Sequence, residues 1–218
     1  RHTSAIYGFM NYLFKLIREE KPDYLAIVLD TKEETFRHKI YTEYKATREK
    51  MPDELVQQLD PLYDVISHTK IPMLKKTGFE ADDIMGTLAK KAYKAGLITY
   101  LVTADKDMMQ LVNDKTFMYS PGNSFRPTII YDKGKVKDKW GVGPDGIINM
   151  LALVGDASDN IPGIDGVGPK TALKLLEKYE TIESIIDNAD FVRNKRVKEG
   201  LKNGKDLVYL SKELVTID

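Results

Sequence analysis

Acidic residues gather in the stretch Gly78-Phe79-Glu80-Ala81-Asp82-Asp83-Ile84-Met85-Gly86, where a helix pattern begins. Apolar residues follow at intervals of four, at Ile84, Leu88 and Ala92, and this spacing predicts a helix that extends to Ala95. Carboxylates in the first turn of a helix are favoured by the helix dipole. N-terminal capping is therefore one interpretation of this stretch, and metal binding is the other.

A second acidic segment, Thr103-Ala104-Asp105-Lys106-Asp107, follows an apolar run at residues 98–102 that is typical of a buried strand. Asp30 comes in the same way after the apolar run at residues 24–29. Ligands bind at the carboxyl ends of strands in open α/β sheets, although a single Asp there is as often a turn former. Several carboxylates at one edge repel one another unless divalent cations compensate them, so the sequence predicts a divalent metal site.

The composition limits the kinds of site that the chain can hold. Its 218 residues, 42% of them hydrophobic, can bury a core as one domain or as a domain with a small appendage. The sequence has no cysteine and only three histidines, which excludes disulfides and favours oxygen-liganded metals over zinc. The formal net charge of zero does not by itself indicate a nucleic-acid binder. No apolar run could span a membrane and no signal-peptide pattern is present, so we expect a cytoplasmic protein.

The order of the predicted elements indicates an α/β fold. The sequence predicts strands at residues 24–29, 71–74, 98–102, 117–120 and 128–131, a loop at residues 121–123, and helices at residues 6–17, 52–66 and 80–95. Strands that alternate with helices predict a mostly parallel central sheet flanked by helices. The strand signal fades after Trp140, so we predict an α/β core at residues 1–143 and a helical subdomain at residues 144–218.

Basic and aromatic residues alternate between residues 32 and 50. The basic ones are Arg37, Lys39, Lys45, Arg48 and Lys50, and the aromatic ones are Phe36, Tyr41 and Tyr44. Positive charge beside aromatic faces suits a phosphate backbone and unstacked bases. Glutamates in the same segment dilute the charge, so a solvated helix face is the alternative interpretation.

The part of the sequence after residue 154 contains further motifs. Asp156 and Asp159 lie three residues apart near a predicted helix end. A glycine-rich hairpin then leads directly into a helix. Its glycines are Gly163, Gly166 and Gly168, Lys170 and Thr171 follow them, and a basic patch comes later at Arg193, Lys195, Arg196, Lys198, Lys202 and Lys205. Such a hairpin exposes backbone N–H groups to a phosphate, although a tight turn between two helices is the alternative.

Together these motifs resemble the 5′ nuclease domain at the N-terminus of bacterial DNA polymerase I, a family akin to the flap endonucleases. The resemblance runs nearly end to end through Val28-Leu29-Asp30, Phe36-Arg37, Tyr44-Lys45, Glu80-Ala81-Asp82-Asp83, Thr103-Ala104-Asp105-Lys106-Asp107, the stretch from Gly155-Asp156 to Pro162-Gly163, and the glycine hairpin. It implies a PIN-like 5′ nuclease fold with a C-terminal helix–three-turn–helix, which is a helix-hairpin-helix motif. It also implies 5′-3′ exonuclease and flap endonuclease activity in DNA replication and repair.

The resemblance implies two or more divalent ions, either Mg²⁺ or Mn²⁺. The ligands implied near the first ion are Asp30, Glu80, Asp82, Asp83 and Asp105, and those near the second, some of them through water, are Asp107, Asp156 and Asp159. The ions would generate hydroxide and stabilise an in-line displacement, so no protein nucleophile is needed.

The resemblance also implies a DNA interface. Its implied residues are Arg37, Tyr44, Lys45, Arg48, Gly163, Gly166, Gly168, Lys170 and Thr171. Lys45 and Arg48 would neutralise the scissile phosphate as catalytic residues, and Tyr44 would stack on a base. Carbonyls of the hairpin would hold K⁺ against duplex phosphates. We expect a monomer that acts on DNA with a 5′ flap, a nick or an RNA primer, and the sequence leaves open whether a polymerase domain follows.

The sequence departs from the family pattern at its start. The family begins with a strand that ends in Asp-Gly, and that Asp is a further ligand of the first metal. Because the sequence starts after this strand, we expect these 218 residues alone to be catalytically weak or inactive and the intact protein to be active. A DNA-junction binding module without catalysis is therefore an alternative. A PIN-like ribonuclease is a third possibility, ranked last because it would not need the hairpin.

Overall fold

The computed structural model describes residues 3–122 and 127–218. Asn123, in the predicted loop at residues 121–123, lies outside the described residues. The first part of the chain forms helices α1 (Ser4–Glu20), α2 (Phe36–Ile40), α3 (Asp53–Ser67) and α4 (Ala81–Lys94), with strands β1 (Ile27–Val28), β2 (Met73–Leu74), β3 (Thr99–Val102), β4 (Thr116–Ser120) and β5 (Ile129–Tyr131). A 3₁₀-helix at Lys106–Leu111 connects β3 to β4.

The second part of the chain is helical throughout its described elements. It forms α5 (Lys133–Trp140), α6 (Pro144–Val154), α7 (Pro169–Tyr179), α8 (Ile182–Asp187), α9 (Lys195–Asn203) and α10 (Lys205–Val215), with a 3₁₀-helix at Ala189–Phe191. No helix in the described ranges is both long and apolar enough to cross a lipid bilayer.

The strands confirm the predicted α/β class with mostly parallel pairing, but they form two small sheets rather than one central sheet. β1 pairs in parallel with β2, β3 pairs in parallel with β4, and β5 joins β4 in the antiparallel sense. The strand predicted at residues 24–29 is reduced to the two residues of β1. Tyr24 is 81% exposed, so the apolar run at residues 24–29 is not buried over its whole length as the sequence predicted.

Helix α4 carries the acidic stretch and contacts strands of both sheets, β1 and β3. Its apolar spacing produced the helix that the sequence predicted, with Gly86 and Ala89 buried on the packed face. This packing places the first turn of α4 close to the ends of β1 and β3, where Asp30 and Asp105 follow. The three acidic segments therefore converge because of how one helix packs on two strands.

The helical part of the chain shares its core with the α/β part. One apolar cluster lies among the C-terminal helices around Ile182, Ile185 and Leu201. A second cluster packs Met108 and Met118 together with residues of α6 and α10. The domain boundary between residues 143 and 144 therefore stays a prediction, although α6 does begin at Pro144.

Candidate metal centre

Carboxylates satisfy the backbone N–H groups at the start of α4. Glu80 is the N-cap, and its N–H donates to Asp83 Oδ2 over 2.9 Å. The N–H of Ala81 donates to Asp30 Oδ1 over 2.8 Å. Capping, one of the two interpretations of the acidic stretch, is therefore part of its structure for Asp30, Glu80 and Asp83.

Asp82 lies in the first group of crowded carboxylates. Burial, followed by the negative charges of Asp105, Glu80 and Asp30, raises the pKa of Asp82 to about 7. The pKa of Asp82 is raised because several carboxylates surround it and the positive charge nearby does not compensate them. This group is a set of oxygen donors that a divalent cation would stabilise.

Asp107 lies in the second group. Burial is the largest cause that raises its pKa to about 7, and the negative charges of Asp105, Asp156 and, more weakly, Asp159 contribute to the same shift. Within the part of the chain that the structure describes, Asp107 Oδ1 is a buried oxygen without a hydrogen-bond partner. Asp105 contributes to both groups, so the two sets of carboxylates share a member.

Three cationic side chains enter the acidic site. Lys45 Nζ lies 2.6 Å from Glu80 Oε1 and 3.7 Å from Asp159 Oδ2. Arg48 pairs with Asp159 through Oδ1. Lys106 Nζ lies 2.9 Å from Asp156 Oδ2. These cations neutralise part of the negative charge that makes the site costly.

Lys106 was missed by the sequence analysis as a functional residue. Burial alone would lower the pKa of its ammonium, but the hydrogen bond and charge of Asp156 raise it. Burial would likewise raise the pKa of the Asp156 carboxyl, but hydrogen bonds from Ser158 and Lys106 lower it. The signal was present in the sequence, since a lysine lies between two aspartates in Asp105-Lys106-Asp107.

Asp83 and Arg37, predicted for the metal site and the DNA interface, are paired with each other in the structure. Arg37 donates from Nη1 to Asp83 Oδ2 over 2.8 Å and from Nη2 to Asp83 Oδ1 over 2.7 Å. Each residue is only 2% exposed. Burial would raise the pKa of Asp83, and the bonds from Arg37 lower it by more. Both carboxylate oxygens of Asp83 are thus bonded to Arg37, and the predicted metal role of Asp83 and DNA role of Arg37 stay predictions.

Tyr44, for which the resemblance implies stacking on a base, is buried beside two acidic side chains of the site. It is 3% exposed, and its hydroxyl donates to Glu80 Oε2 over 3.1 Å and to Asp159 Oδ2 over 3.3 Å. Its pKa is raised by burial and then by the charges of Glu80 and Asp159. The Tyr44 hydroxyl thus lies within hydrogen-bond distance of two acidic side chains of the site.

The segment that carries Lys45 and Arg48 is docked on the loop after α6. The backbone N–H of Lys45, which has a φ of 56°, donates to the carbonyl of Asp159 over 2.9 Å. Asn160 Nδ2 donates to the carbonyl of Glu43 over 2.7 Å. The structure therefore brings the predicted phosphate-neutralising residues Lys45 and Arg48 to the acidic site, where they are paired with carboxylates.

The donor set fits a hard divalent ion by its chemistry, because it consists of carboxylates and includes the orphaned oxygen of Asp107. Over residues 3–122 and 127–218, however, no three His, Cys, Asp or Glu side chains converge in a geometry that would hold an ion. Lys45, Arg48 and Lys106 pair with oxygens that such an ion would use.

The glycine hairpin lies in the connection between α6 and α7. Gly166 has a φ of 77°, a conformation that L side chains rarely adopt, so a glycine is required at this turn. Gly163 approaches α6 closely, since an added Cβ would lie 2.1 Å from the carbonyl oxygen of Val154. Gly168 is the N-cap of α7, with Lys170 exposed and Thr171 half-buried in the first turn. The DNA roles predicted for these residues stay predictions.

Family models match the whole chain in two pieces. The model described as 5'-3' exonuclease, N-terminal resolvase-like domain, matches residues 1–141. The model described as 5'-3' exonuclease, C-terminal SAM fold, matches residues 142–218.

Curated relatives and solved structures agree with these models. The chain is 41% identical over 216 residues to DNA polymerase I of Bacillus subtilis, covering 99% of this chain and 24% of that relative. It is 42% identical over 217 residues to the 5'-3' exonuclease of Aquifex aeolicus, covering 97% of this chain and 73% of that relative. A flap endonuclease of bacteriophage T5, solved with DNA and metal ions, is similar in fold with a TM-score of 0.84 and 20% identity, covering 96% of this chain and 80% of the phage chain. The chain thus spans about a quarter of the polymerase relative's length.

Proposed function

The chain belongs to the 5′-3′ exonuclease family, and we propose that it is the part of a nuclease that hydrolyses phosphodiester bonds in DNA with divalent metal ions. The observation that carries this proposal is the pair of carboxylate groups that share Asp105. A structural acidic helix start would not need a second buried group around Asp107. Two adjacent groups of oxygen donors suit two-ion phosphodiester hydrolysis.

The two groups would hold two ions, Mg²⁺ or Mn²⁺. Asp30, Glu80, Asp82 and Asp105 form the proposed first set, and Asp105, Asp107, Asp156 and Asp159 form the second. When bound, such ions supply an acidified water and positive charge beside the phosphorus. Asp83 is left out of both sets because its oxygens are bonded to Arg37.

Lys45 and Arg48 are proposed as the residues that neutralise the phosphate at this site. Their side chains are 21% and 49% exposed, so both reach solvent from the edge of the acidic group. Lys45 forms an ion pair with Glu80, and Arg48 forms one with Asp159. A bound metal ion would compete with these two cations for the same carboxylates. A cation that is partnered only by an exchangeable carboxylate can transfer its bonds to a phosphate.

The start of α7 is proposed to bind the duplex. Lys170 is exposed in its first turn, and the positive end of a helix dipole attracts phosphate. K⁺ held by hairpin carbonyls would extend this contact. We propose residues 1–143 as the nuclease unit and residues 144–218 as the duplex-binding unit of a monomer that acts in the cytoplasm on 5′ flaps, nicks or RNA primers.

The test is cleavage of a labelled 5′-flap duplex in Mg²⁺, in Mn²⁺ and in EDTA, with product lengths read on a denaturing gel. Metal-dependent cutting near the flap junction supports the proposal. Metal-dependent cutting of single-stranded RNA without any action on the flap would support the ribonuclease alternative instead.

A second candidate is junction binding without hydrolysis. It is favoured by the pairing of Lys45, Arg48 and Lys106 with carboxylates, in a described chain where no three acidic groups converge on an ion position. Salt-dependent flap binding with no cutting in either metal, together with no Mn²⁺ binding in calorimetry, would select this candidate.

A further inference from the structure

Arg37 is a buried cation whose guanidinium joins three parts of the chain. Besides its two bonds to Asp83, Nε donates to the carbonyl of Leu214 over 2.8 Å and Nη2 donates to the carbonyl of Thr216 over 2.6 Å. The side chain comes from α2, the carboxylate from α4, and the two carbonyls from the end of α10 and the residues after it. The planar fork of an arginine is suited to such a junction because its donors point in fixed directions.

Asp83 completes the junction on the opposite side. Its Oδ2 accepts from the N–H of Glu80 over 2.9 Å, and its Oδ1 accepts from the N–H of Asp218 over 3.1 Å. Gln110 holds the same segment from a third direction, accepting from the N–H of Ile217 over 3.0 Å and donating to the carbonyl of Val215 over 2.9 Å. Residues 214–218 are thus fixed against the start of α4.

Glu80 is the point at which this junction meets the acidic site. Its backbone N–H is bonded to Asp83, and its Oε2 lies 3.7 Å from Arg37 Nη1. A shift of the Arg37–Asp83 pair would therefore move both the backbone and the carboxylate of Glu80. Within residues 3–122 and 127–218, Glu80 is the one proposed metal ligand that lies within ion-pair distance of Arg37.

We propose that Arg37 and Asp83 are positioning residues that set Glu80 for metal binding and tie residues 214–218 to the start of α4, and that neither contacts DNA or metal. This proposal rests on the proposed metal-dependent function. It reassigns two side chains that the motif alone places at the DNA interface and in the metal shell. The energetic reason is that a charge pair this deeply buried is stable only while both partners remain.

The first test is a thermal-unfolding cycle on the full chain with Arg37→Gln, Asp83→Asn and the double variant. Arg37→Gln leaves a buried carboxylate without its cation, so we expect Tm to fall by roughly 10 °C. The double variant removes both charges, and we expect its Tm to lie above that of Arg37→Gln. A double variant that is no more stable than Arg37→Gln would overturn the pairing.

A second variant and a matched control keep this test decisive. If Arg37→Gln fails to fold, Arg37→Lys retains the charge but loses the fork, and we expect its Tm to lie below that of the wild type. An Arg37→Lys variant with the wild-type Tm would overturn the pairing. Arg196→Gln provides the control, because Arg196 also pairs with an aspartate, Asp165, but on the surface, where both side chains are more than two-thirds exposed. We expect its Tm to stay within about 2 °C of the wild type.

The second test separates positioning from stability by measuring Mn²⁺ binding calorimetrically without DNA, well below every Tm. We expect the double variant to bind Mn²⁺ roughly 10-fold more weakly than the wild type, because a residue that orients a ligand has an effect of this size. Unchanged Mn²⁺ affinity in the double variant would overturn the positioning role. Absence of Mn²⁺ binding in the wild type would instead contradict the proposed function. The Tm values of the three variants would still test whether Arg37 and Asp83 stabilise each other.

The third test asks whether Arg37 contacts DNA. We expect the slope of log K against log salt for flap binding to be the same in the double variant and the wild type. Lys170→Gln should reduce the slope by about 0.9 because one phosphate contact is lost. A comparable reduction in the double variant would show that Arg37 reaches a phosphate and would overturn the proposal.

Discussion

Helices α4 and α7 begin with the same positive dipole end, but the residues around the two starts favour ligands of opposite charge. The start of α4 is filled by the chain's own anions, with Asp82 and Asp83 in its first turn and Glu80 at the N-cap. The start of α7 has Gly168 at the N-cap, no acidic residue in its first turn and no side-chain cap. The first start has already satisfied its dipole with carboxylates and gains from added cations, whereas the second has no acidic side chain to compensate its dipole and would favour an external anion.

The comparison teaches that the residue types in one helical turn decide the sign of the ligand. A helix N-terminus is not a binding site by itself, because neighbouring side chains can satisfy it completely. In α4 the informative feature is that there are more carboxylates than N–H groups to bind them, and the raised pKa of Asp82 shows this excess of negative charge. In α7 the informative feature is the exposed Lys170 beside an uncapped start.

The largest expected effect comes from removing the carboxylate that both acidic groups share. Asp105→Ala should reduce flap cleavage by at least about 100-fold while flap affinity stays within about twofold, because the side chain serves the ions and not the DNA. Single-turnover cleavage and fluorescence anisotropy measure the two quantities. Asp114→Ala is the matched control, since Asp114 is an exposed aspartate that pairs with Lys133 away from the site. An Asp105→Ala variant that cuts at the wild-type rate would remove the acidic start of α4 from the catalytic account.

The next largest effect comes from making the start of α7 resemble that of α4. Gly168 has an extended backbone and no heavy atom near an added Cβ, so Gly168→Asp introduces an acidic cap without strain. We expect flap binding to weaken roughly 10-fold, because the new charge repels the phosphate that the helix start would bind.

Gly168→Asn separates the charge of this cap from its hydrogen bond. The asparagine caps the same N–H groups without a negative charge, so we expect it to weaken binding by less than half as many kcal/mol as the aspartate. Equal losses in the two variants would mean that occupying the helix start, rather than the added negative charge, weakens flap binding. No loss in either variant would end the proposed phosphate contact at this helix.

The third prediction concerns protons and metal at the acidic site. The pKa values of Asp82 and Asp107 are raised from 3.8 to about 7, so the folded protein binds these protons more tightly than the unfolded chain does. Without metal, stability should therefore fall as pH rises from about 4 to about 7, by about 1.4 kcal/mol for each unit of pKa shift that is realised. Divalent ions compete with the same protons, so the rise in Tm on adding Mg²⁺ should be larger at pH 8 than at pH 6. Thermal unfolding with and without EDTA checks this, and an equal rise at both pH values would contradict the carboxylate grouping.

The sequence was sufficient for the elements that local patterns control. The spacing of Ile84, Leu88 and Ala92 predicted α4, and the apolar run at residues 98–102 predicted β3. The glycines also marked the hairpin, because Gly166 has the backbone that only glycine adopts easily.

The sequence was not sufficient for side chains whose partners are distant in the chain. Arg37 meets Asp83 across 46 positions, and Tyr44 meets Asp159 across 115. A motif presents Asp82 and Asp83 as equivalent carboxylates, yet the turn of a helix directs the first towards other anions and the second towards a buried arginine. Burial and pairing decided their roles, and neither is encoded in a spacing.

The smallest expected effect is a difference between two monovalent salts at the start of α7. If the carbonyls of the hairpin before α7 hold K⁺, the uncapped helix start would act on the phosphate together with a bound cation. Na⁺ is smaller and would be held less well by carbonyls spaced for K⁺. We expect flap affinity to be about threefold higher in K⁺ than in Na⁺ at matched ionic strength, a difference typical of one exposed ionic contact. The same comparison on Gly168→Asp should retain the ratio if the cation sits at the hairpin, because that substitution changes only the helix start. Identical flap affinities of the wild type in the two salts would show that no hairpin-bound K⁺ contributes, so the proposed phosphate contact would involve the start of α7 alone.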